Sequence, residues 1–329
     1  MSLNKNNLIE WQPAIDYKVA KKRQLKLDAI RKYFTDNEVI EVETPILSTS
    51  AVSDINIESI QAIISTSPEQ SYYLNTSPEF FMKRMLASGY KDIFQICKVF
   101  RDDEIGKLHL PEFTMIEWYR LDFNLSKIIA DTLSIITIVL KKQKKELPQS
   151  IEQITYQDSF ITQLNIDPIS ISVKEIIAQV DIEDSLQVQL GNNKNHYLDY
   201  LFATKITKKF DPNKITVVTH YPASQAALAR ICPKNKTVAE RFEIFIGNIE
   251  IANGYVELTD PIEARARFNS DQSQRHLQNK ITRPLDQKFL AAMDFGLPDC
   301  AGVALGFDRL FMVSENKDSI QAIQQFSTD

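Results

Sequence analysis

The sequence predicts an α+β fold, a mostly antiparallel sheet flanked by helices, and three observations predict it. Strand-like runs come in adjacent pairs, at 93–101 with 112–120 and at 242–246 with 249–258. Neighbours joined by short connections pair antiparallel, because a parallel pair needs a long crossover. Helical segments with recognisable start and stop signals lie between and around these pairs. No repeat or low-complexity linker breaks 1–329, so a single domain is expected.

Taken in order, 18–37 reads as an amphipathic helix with Leu27, Ile30 and Phe34 on one face. It runs into a short strand over 39–47 that Pro45 ends. Ser77-Pro78-Glu79 starts the next helix, with a serine cap, a proline at the first position and an acid in the first turn. Phe81 and Met85 share a face of it, and Gly89 marks its stop. After the strand pair 93–101 and 112–120, residues 123–240 read as largely helical. The second strand pair leads to Thr259-Asp260-Pro261, which starts a helix through Phe268. The strand 302–306 then feeds a last helix from Asp308.

Composition excludes several function classes. The net charge of −5 argues against a broad nucleic-acid surface, which would show clustered Lys and Arg. The one basic run, Lys141-Lys142-Gln143-Lys144-Lys145, reads as a solvated helix end. No apolar run is long enough for a membrane span, and the polar start shows no signal peptide. Cys97, Cys232 and Cys300 make no paired spacing, which suits a reduced, cytoplasmic protein. His196, His220 and His276 have no neighbours that suggest a metal site, and no Ser-His-Asp or Cys-His set points to a covalent hydrolase.

Four constellations carry chemistry. Alternation along 112–120 puts Phe113, Met115, Glu117 and Tyr119 on one face, a ring, an acid and a phenol that suit a pocket better than a core. Arg101 stands across a short loop from them, and Arg309 follows the small-residue strand 302–306. Two arginines that keep their charge can hold a triphosphate. Glu250 and Glu257 are seven apart, opposite faces of an unbroken strand. Either a bulge at Asn253-Gly254 or a two-residue hairpin there would bring both acids together, where they would need a cation. Glu79 by itself is a helix-dipole acid.

Together these segments resemble the class II aminoacyl-tRNA synthetase catalytic domain, most closely the lysyl type. Helix 18–37 with its strand and Pro45 resembles motif 1, the family's dimer element. Phe100-Arg101-Asp102-Asp103-Glu104 with Pro111-Glu112-Phe113-Thr114-Met115 resembles motif 2, and Gly302-Val303-Ala304-Leu305-Gly306-Phe307-Asp308-Arg309 resembles motif 3. The resemblance implies the class II catalytic fold, with Arg101 on the α-phosphate, Phe113 stacked on adenine, Asp103 near the adenine amino group and Arg309 on the γ-phosphate. It also places Asp102, His109, Leu110, Ile251 and Gly306 at ATP, and Glu250 with Glu257 as the magnesium acids. Ser77, Pro78, Glu79, Glu117, Tyr119, Asn253, Tyr255, Glu257 and Ala304 would line the amino-acid site. Its acids suit a diamino acid, whose two ammonium groups need more than one carboxylate.

Lysyl synthetases carry an N-terminal OB-fold that reads the anticodon, and there is no room for one before residue 18. The chain therefore resembles the stand-alone lysyl-synthetase paralogues that modify elongation factor P. Those enzymes adenylate (R)-β-lysine and transfer it to a lysine ε-amino group of that factor. Ser77 and Ala304, where lysyl synthetases have Ala and Gly, agree with this, as does Tyr221-Pro222-Ala223-Ser224-Gln225-Ala226. Asp102-Asp103 in place of Asn-Glu, and Leu110 in place of Asn, depart from the family pattern at the ATP loop. The resemblance implies a cytoplasmic homodimeric ligase using ATP and Mg2+, with (R)-β-lysine or lysine as substrate, elongation factor P as acceptor, and no tRNA or membrane. Amide synthesis on a free amino acid would want arginines in the pocket. Minimal tRNA charging sits poorly with the acidic charge. A dead regulatory paralogue would be expected to have lost Arg101, Arg309, Glu250 or Glu257.

Overall fold

The computed structural model describes residues 11–102, 105–141 and 150–326. Asp16 caps α1 (Tyr17–Asp36) by accepting from the Val19 N–H at 2.9 Å. The expected strand at 39–47 is split into β1 (Ile40–Glu41) and β2 (Leu47–Ser48), because Pro45 interrupts it. β3 (Gln61–Ala62) and β4 (Tyr72–Leu74) join β2 in a small sheet of order β2-β4-β3. In α2 (Glu79–Ala87) Pro78 is the cap residue itself, and the Ser77 hydroxyl accepts from the Glu79 N–H. β5 (Ile93–Phe100), β6 (Glu112–Leu121) and α3 (Leu125–Leu140) follow.

The stretch read as largely helical also contains two strands. β7 (Ser150–Thr155) precedes α4 (Tyr156–Leu164), α5 (Val173–Gln179), α6 (Asp184–Leu190) and α7 (Lys194–Leu201). β8 (Lys214–Thr219) follows them, its β-branched run Ile215-Thr216-Val217-Val218-Thr219 preferring the pleated conformation. The chain ends with β9 (Arg241–Ile246), β10 (Ile249–Val256), α8 (Pro261–Leu277), α9 (Gln287–Phe295), β11 (Cys300–Gly306) and α10 (Phe307–Ser314). Asp103 and most of the basic run at 141–145 lie outside the described residues.

The large sheet runs β1-β5-β6-β11-β10-β9-β8-β7. Its interior ladders are antiparallel, as expected, and only the two edge pairs, β1 with β5 and β7 with β8, are parallel. One face packs on α1, α3 and α10, with Phe34 stacked on Phe94 at 4.2 Å and Trp118 wholly buried beside them. The other face is covered at one end by α2, α8 and α9 and at the other by α4 to α7. Between those two blocks the sheet face is left open, and the cavity forms there.

Asp308 fastens the covered face. Only 1% exposed, it accepts from the Thr114 N–H at 2.8 Å and from Gln324 Nε2 at 3.1 Å, and it pairs with Arg23 at 2.7 Å. One carboxylate thus ties α1, β6, α10 and the C-terminal segment together. Asp308→Ala would leave Arg23 without its counter-charge and the Thr114 N–H without an acceptor. We expect a loss of about 3 kcal/mol in unfolding free energy, read from urea denaturation.

Candidate active site

Sheet register assembles the site in rows. Pairing places Tyr119, Gly302, Tyr255 and Arg241 side by side across β6, β11, β10 and β9. The next row holds Glu117, Ala304, Asn253 and Glu243. Alternation along β6 turns Phe113, Met115, Glu117 and Tyr119 to a cavity of about 740 Å³, while Ile116 and Trp118 enter the core.

β10 needs one correction of phase to contribute both its acids. Its register against β9 shifts between Glu250 and Ala252, so the bulge lies at Ile251 rather than at Asn253-Gly254. Asn253-Gly254 is mid-strand, and the hairpin turns at Gly247-Asn248. With that bulge, Glu250, Asn253, Tyr255 and Glu257 all line the cavity.

The acidic end is built around a residue that sequence reasoning missed. Lys83, 1% exposed on α2, pairs with Glu79 and with Glu257, both at 2.6 Å. Burial works against its ammonium, but Glu257 and Glu79 outweigh that and raise its pKa. Across the pocket, Ser77 Oγ and Tyr119 Oη each donate to Glu117 at 2.7 Å. Burial, then the charge of Glu79, pushes Glu117 up to about 8 against those two hydrogen bonds. Burial likewise pushes Glu257 up to about 7 although Lys83 opposes it. Gly302 leaves the room: a Cβ there would lie 2.5 Å from Glu257 Oε1 and closer still to the Tyr119 ring. Lys83 had a signal, its i,i+4 spacing from Glu79, but such pairs are ordinarily exposed helix decoration.

The opposite end is basic. Arg309 donates to the Leu108 and Glu250 carbonyls at 3.1 and 3.2 Å and lies 3.6 Å from the Glu250 carboxylate. Arg101 stands 5.2 Å over the Phe113 ring, both lining the cavity. His109, Ile251, Ala304 and Gly306 also reach the wall, and Leu110 does so from the edge of the main core. Pro78 and Asp102 do not line it; Asp102 instead bridges the backbone of Glu58.

Of the two acids expected to hold a divalent cation, Glu250 stands beside Arg309 and Glu257 beside Lys83, and a third acid, Glu243, lies near Glu250. Glu257 is committed to Lys83 at the amino-acid end. Glu243, missed in the sequence, is pushed up by burial and further by the charge of Glu250 on the neighbouring strand, while Arg241 at 2.6 Å opposes the shift. One or two carboxylates beside phosphate oxygens is the usual protein share of a magnesium site. Among the described residues no group of three or more His, Cys, Asp or Glu could hold a metal by itself.

Comparison with known proteins agrees with this geometry. Residues 4–329 match the profile of the tRNA synthetases class II (D, K and N). The elongation factor P–(R)-β-lysine ligase of Haemophilus ducreyi is 39% identical over 324 residues, 98% of this chain and 97% of the relative. The protein of that name from Klebsiella pneumoniae is 38% identical over 325 residues, 97% of this chain and 98% of the relative. That from Histophilus somni is 38% identical over 333 residues, 100% of this chain and 99% of the relative.

Replacing Lys83 with Met would strand the Glu257 carboxylate in the interior. Unfolding free energy is expected to fall by about 3–5 kcal/mol at pH 8. The deficit should shrink toward pH 5, where Glu257 takes up a proton and needs no cation. Urea denaturation at the two pH values checks both the size and the sign.

Proposed function

This chain belongs to the class II tRNA synthetases, and on that footing we propose that it is an AMP-forming ligase. It joins (R)-β-lysine, or lysine, to a lysine ε-amino group of elongation factor P. The observation that carries the reading is the Lys83-balanced acid pocket lying under Arg101 and Arg309. When all are ionised, three carboxylates and one ammonium leave two negative charges, the match for a diamino acid. The side-chain carboxylate of aspartate would meet repulsion there. The relatives' shared name supports the acceptor, and the near-complete length agreement supports the same overall reaction.

In the first step the substrate carboxylate oxygen attacks the α-phosphorus of ATP, the α–β phosphoanhydride bond breaks, and pyrophosphate leaves. Arg101 neutralises charge on the α-phosphate as it develops, Phe113 stacks the adenine, and Arg309 holds the γ-phosphate. Glu79, Glu117 and Glu257 hold the ammonium groups, so the carboxylate is left facing the arginines. Magnesium held at Glu250 would screen the polyphosphate. In the second step the neutral acceptor amine attacks the acyl carbon, the carbon–oxygen bond to AMP breaks, and the nitrogen releases a proton.

Homodimerisation and a cytoplasmic setting complete the proposal. β1 is a sheet edge, and Ile40 on it, with Tyr17 and Leu25 on α1 and Ile46 beyond, leaves large apolar side chains exposed. These lie on the elements that resemble the family's dimer motif. Among the described residues no helix is long and apolar enough to cross a membrane.

Amino-acid-dependent ATP–pyrophosphate exchange without tRNA is the test. Strong exchange with (R)-β-lysine is expected; exchange with aspartate alone, or none at all, would refute the ligase reading. A pH profile gives a second check. Because Glu117 and Glu257 have raised values, the empty pocket holds protons near neutrality and a diammonium substrate must expel them. The KM for β-lysine should fall about tenfold or more from pH 6 to pH 8.5, with kcat little changed.

A further inference from the structure

Resting on the ligase reading, we propose that the end of the cavity bounded by α7, α8 and the loop at 53–56 admits the acceptor lysine. Asp54, Asp199 and Asp271 hold its ε-ammonium there.

The two ends of the cavity differ. Arg101 and Arg309 sit toward the Met115–Gly306 end of the strands, while the row Tyr119, Gly302, Tyr255 and Arg241 lies at the other. From that row Arg241 donates to the Gln225 carbonyl at 2.6 Å, and Gln225 Nε2 donates to Asp199 Oδ1 at 2.7 Å. Asp271 accepts from Ser53 Oγ at 3.2 Å, and Gln278 Nε2 stands 3.5 Å from His196 Nε2. These contacts gather α7, α8 and the loop round one space, and all three acids line it.

Two independent observations make this space a site for a cation. First, none of the three acids has a Lys, Arg or His nitrogen within 4.0 Å among the described residues. Burial, and in part the charge of Asp54, pushes both Asp199 and Asp271 up to about 6. At neutral pH these groups are mostly ionised; Arg241 and His196 act on Asp199, and Arg267 and Arg275 on Asp271, only from beyond ion-pair distance. Second, Tyr156 and Tyr221, 1% and 3% exposed, line the cavity with hydroxyls that stand near Gln225 and Glu243 without making a hydrogen bond of normal geometry among the described residues. Gln225 Oε1 is in the same condition. Buried polar groups left unmade are costly, so they mark where a ligand completes the wall. A lysine side chain supplies what is missing, an ammonium for the acids and oxygens and methylenes for the aromatic rings.

The rest of the cavity is already assigned by charge. Arg101 and Arg309 face phosphates, and Glu79, Glu117 and Glu257 face the substrate's ammonium groups. At the remaining end Arg241 and Arg267 are paired with Glu243 and Glu263, which leaves Asp54, Asp199 and Asp271 for the one further cation the reaction needs. The ammonium held by the acids gives one proton to solvent, the neutral amine attacks the acyl carbon as the bond to AMP breaks, and the nitrogen then gives its second proton to solvent.

The test separates the two half-reactions with the double variant Asp199→Asn, Asp271→Asn. Both changes keep shape, and the amide oxygen introduced at position 199 can still accept from Gln225. Exchange with (R)-β-lysine should stay within about twofold, while transfer of labelled β-lysine to subsaturating elongation factor P should fall about tenfold or more. Undiminished transfer would overturn the proposal. So would exchange falling in parallel, or a raised KM for β-lysine, since the acids would then serve the first step. Absent exchange in the unaltered protein would instead strike the ligase reading itself.

Discussion

A buried ammonium between two carboxylates governs the arrangement of this molecule. Three acids in one desolvated pocket would repel one another and draw protons. Lys83 takes up one unit of that charge through Glu79 and Glu257, while Ser77 and Tyr119 supply hydrogen bonds to Glu117. The pocket is left short of positive charge by two, and that shortfall is what a diamino acid can fill. The Lys83–Glu257 pair also binds α2 to the end of β10, so the chemistry of the pocket and the docking of a helix on the sheet are one interaction.

Around that interaction the sheet acts as a coordinate grid. Each cavity side chain is placed by the strand it sits on and by its rung in the ladder. Small residues on β11 matter most, because Gly302 lies in the row of Tyr119 and Tyr255 and a side chain there would strike Tyr119 and Glu257. The bulge at Ile251 does the complementary job on β10, turning Glu250 into phase with Asn253 and Glu257. Asp308 secures the far face, so the rows hold while the cavity side stays open. The open face then has room for phosphates at one end and acidic side chains at the other.

Much of this was legible in the chain. Period-two alternation identified the cavity face of β6, and the two motif arginines marked the basic end. Helix starts at Ser77-Pro78 and at Asp260-Pro261 were readable from capping chemistry within a residue. What escaped had a common cause. β8 was hidden inside a stretch read as helical, since a short apolar run suits either element until its neighbours are known. Lys83 looked like an exposed helical ion pair, and Glu243 gave no sign of facing Glu250 before the register was known. The pairing of Glu257 with Lys83 was hidden too, because that distance is not a property of sequence.

By itself, then, the sequence determined the fold class, the paired strands and the types of residue able to hold a nucleotide and a basic amino acid. Those depend on local periodicity, caps and short motifs, which act over a few residues. Tertiary structure alone decided which charges meet: Lys83 with Glu257 rather than solvent, Glu250 with Arg309, and Asp199 and Asp271 around one space. Charge pairing depends on distances of a few ångströms between segments far apart in the chain, and only the closed sheet sets those distances.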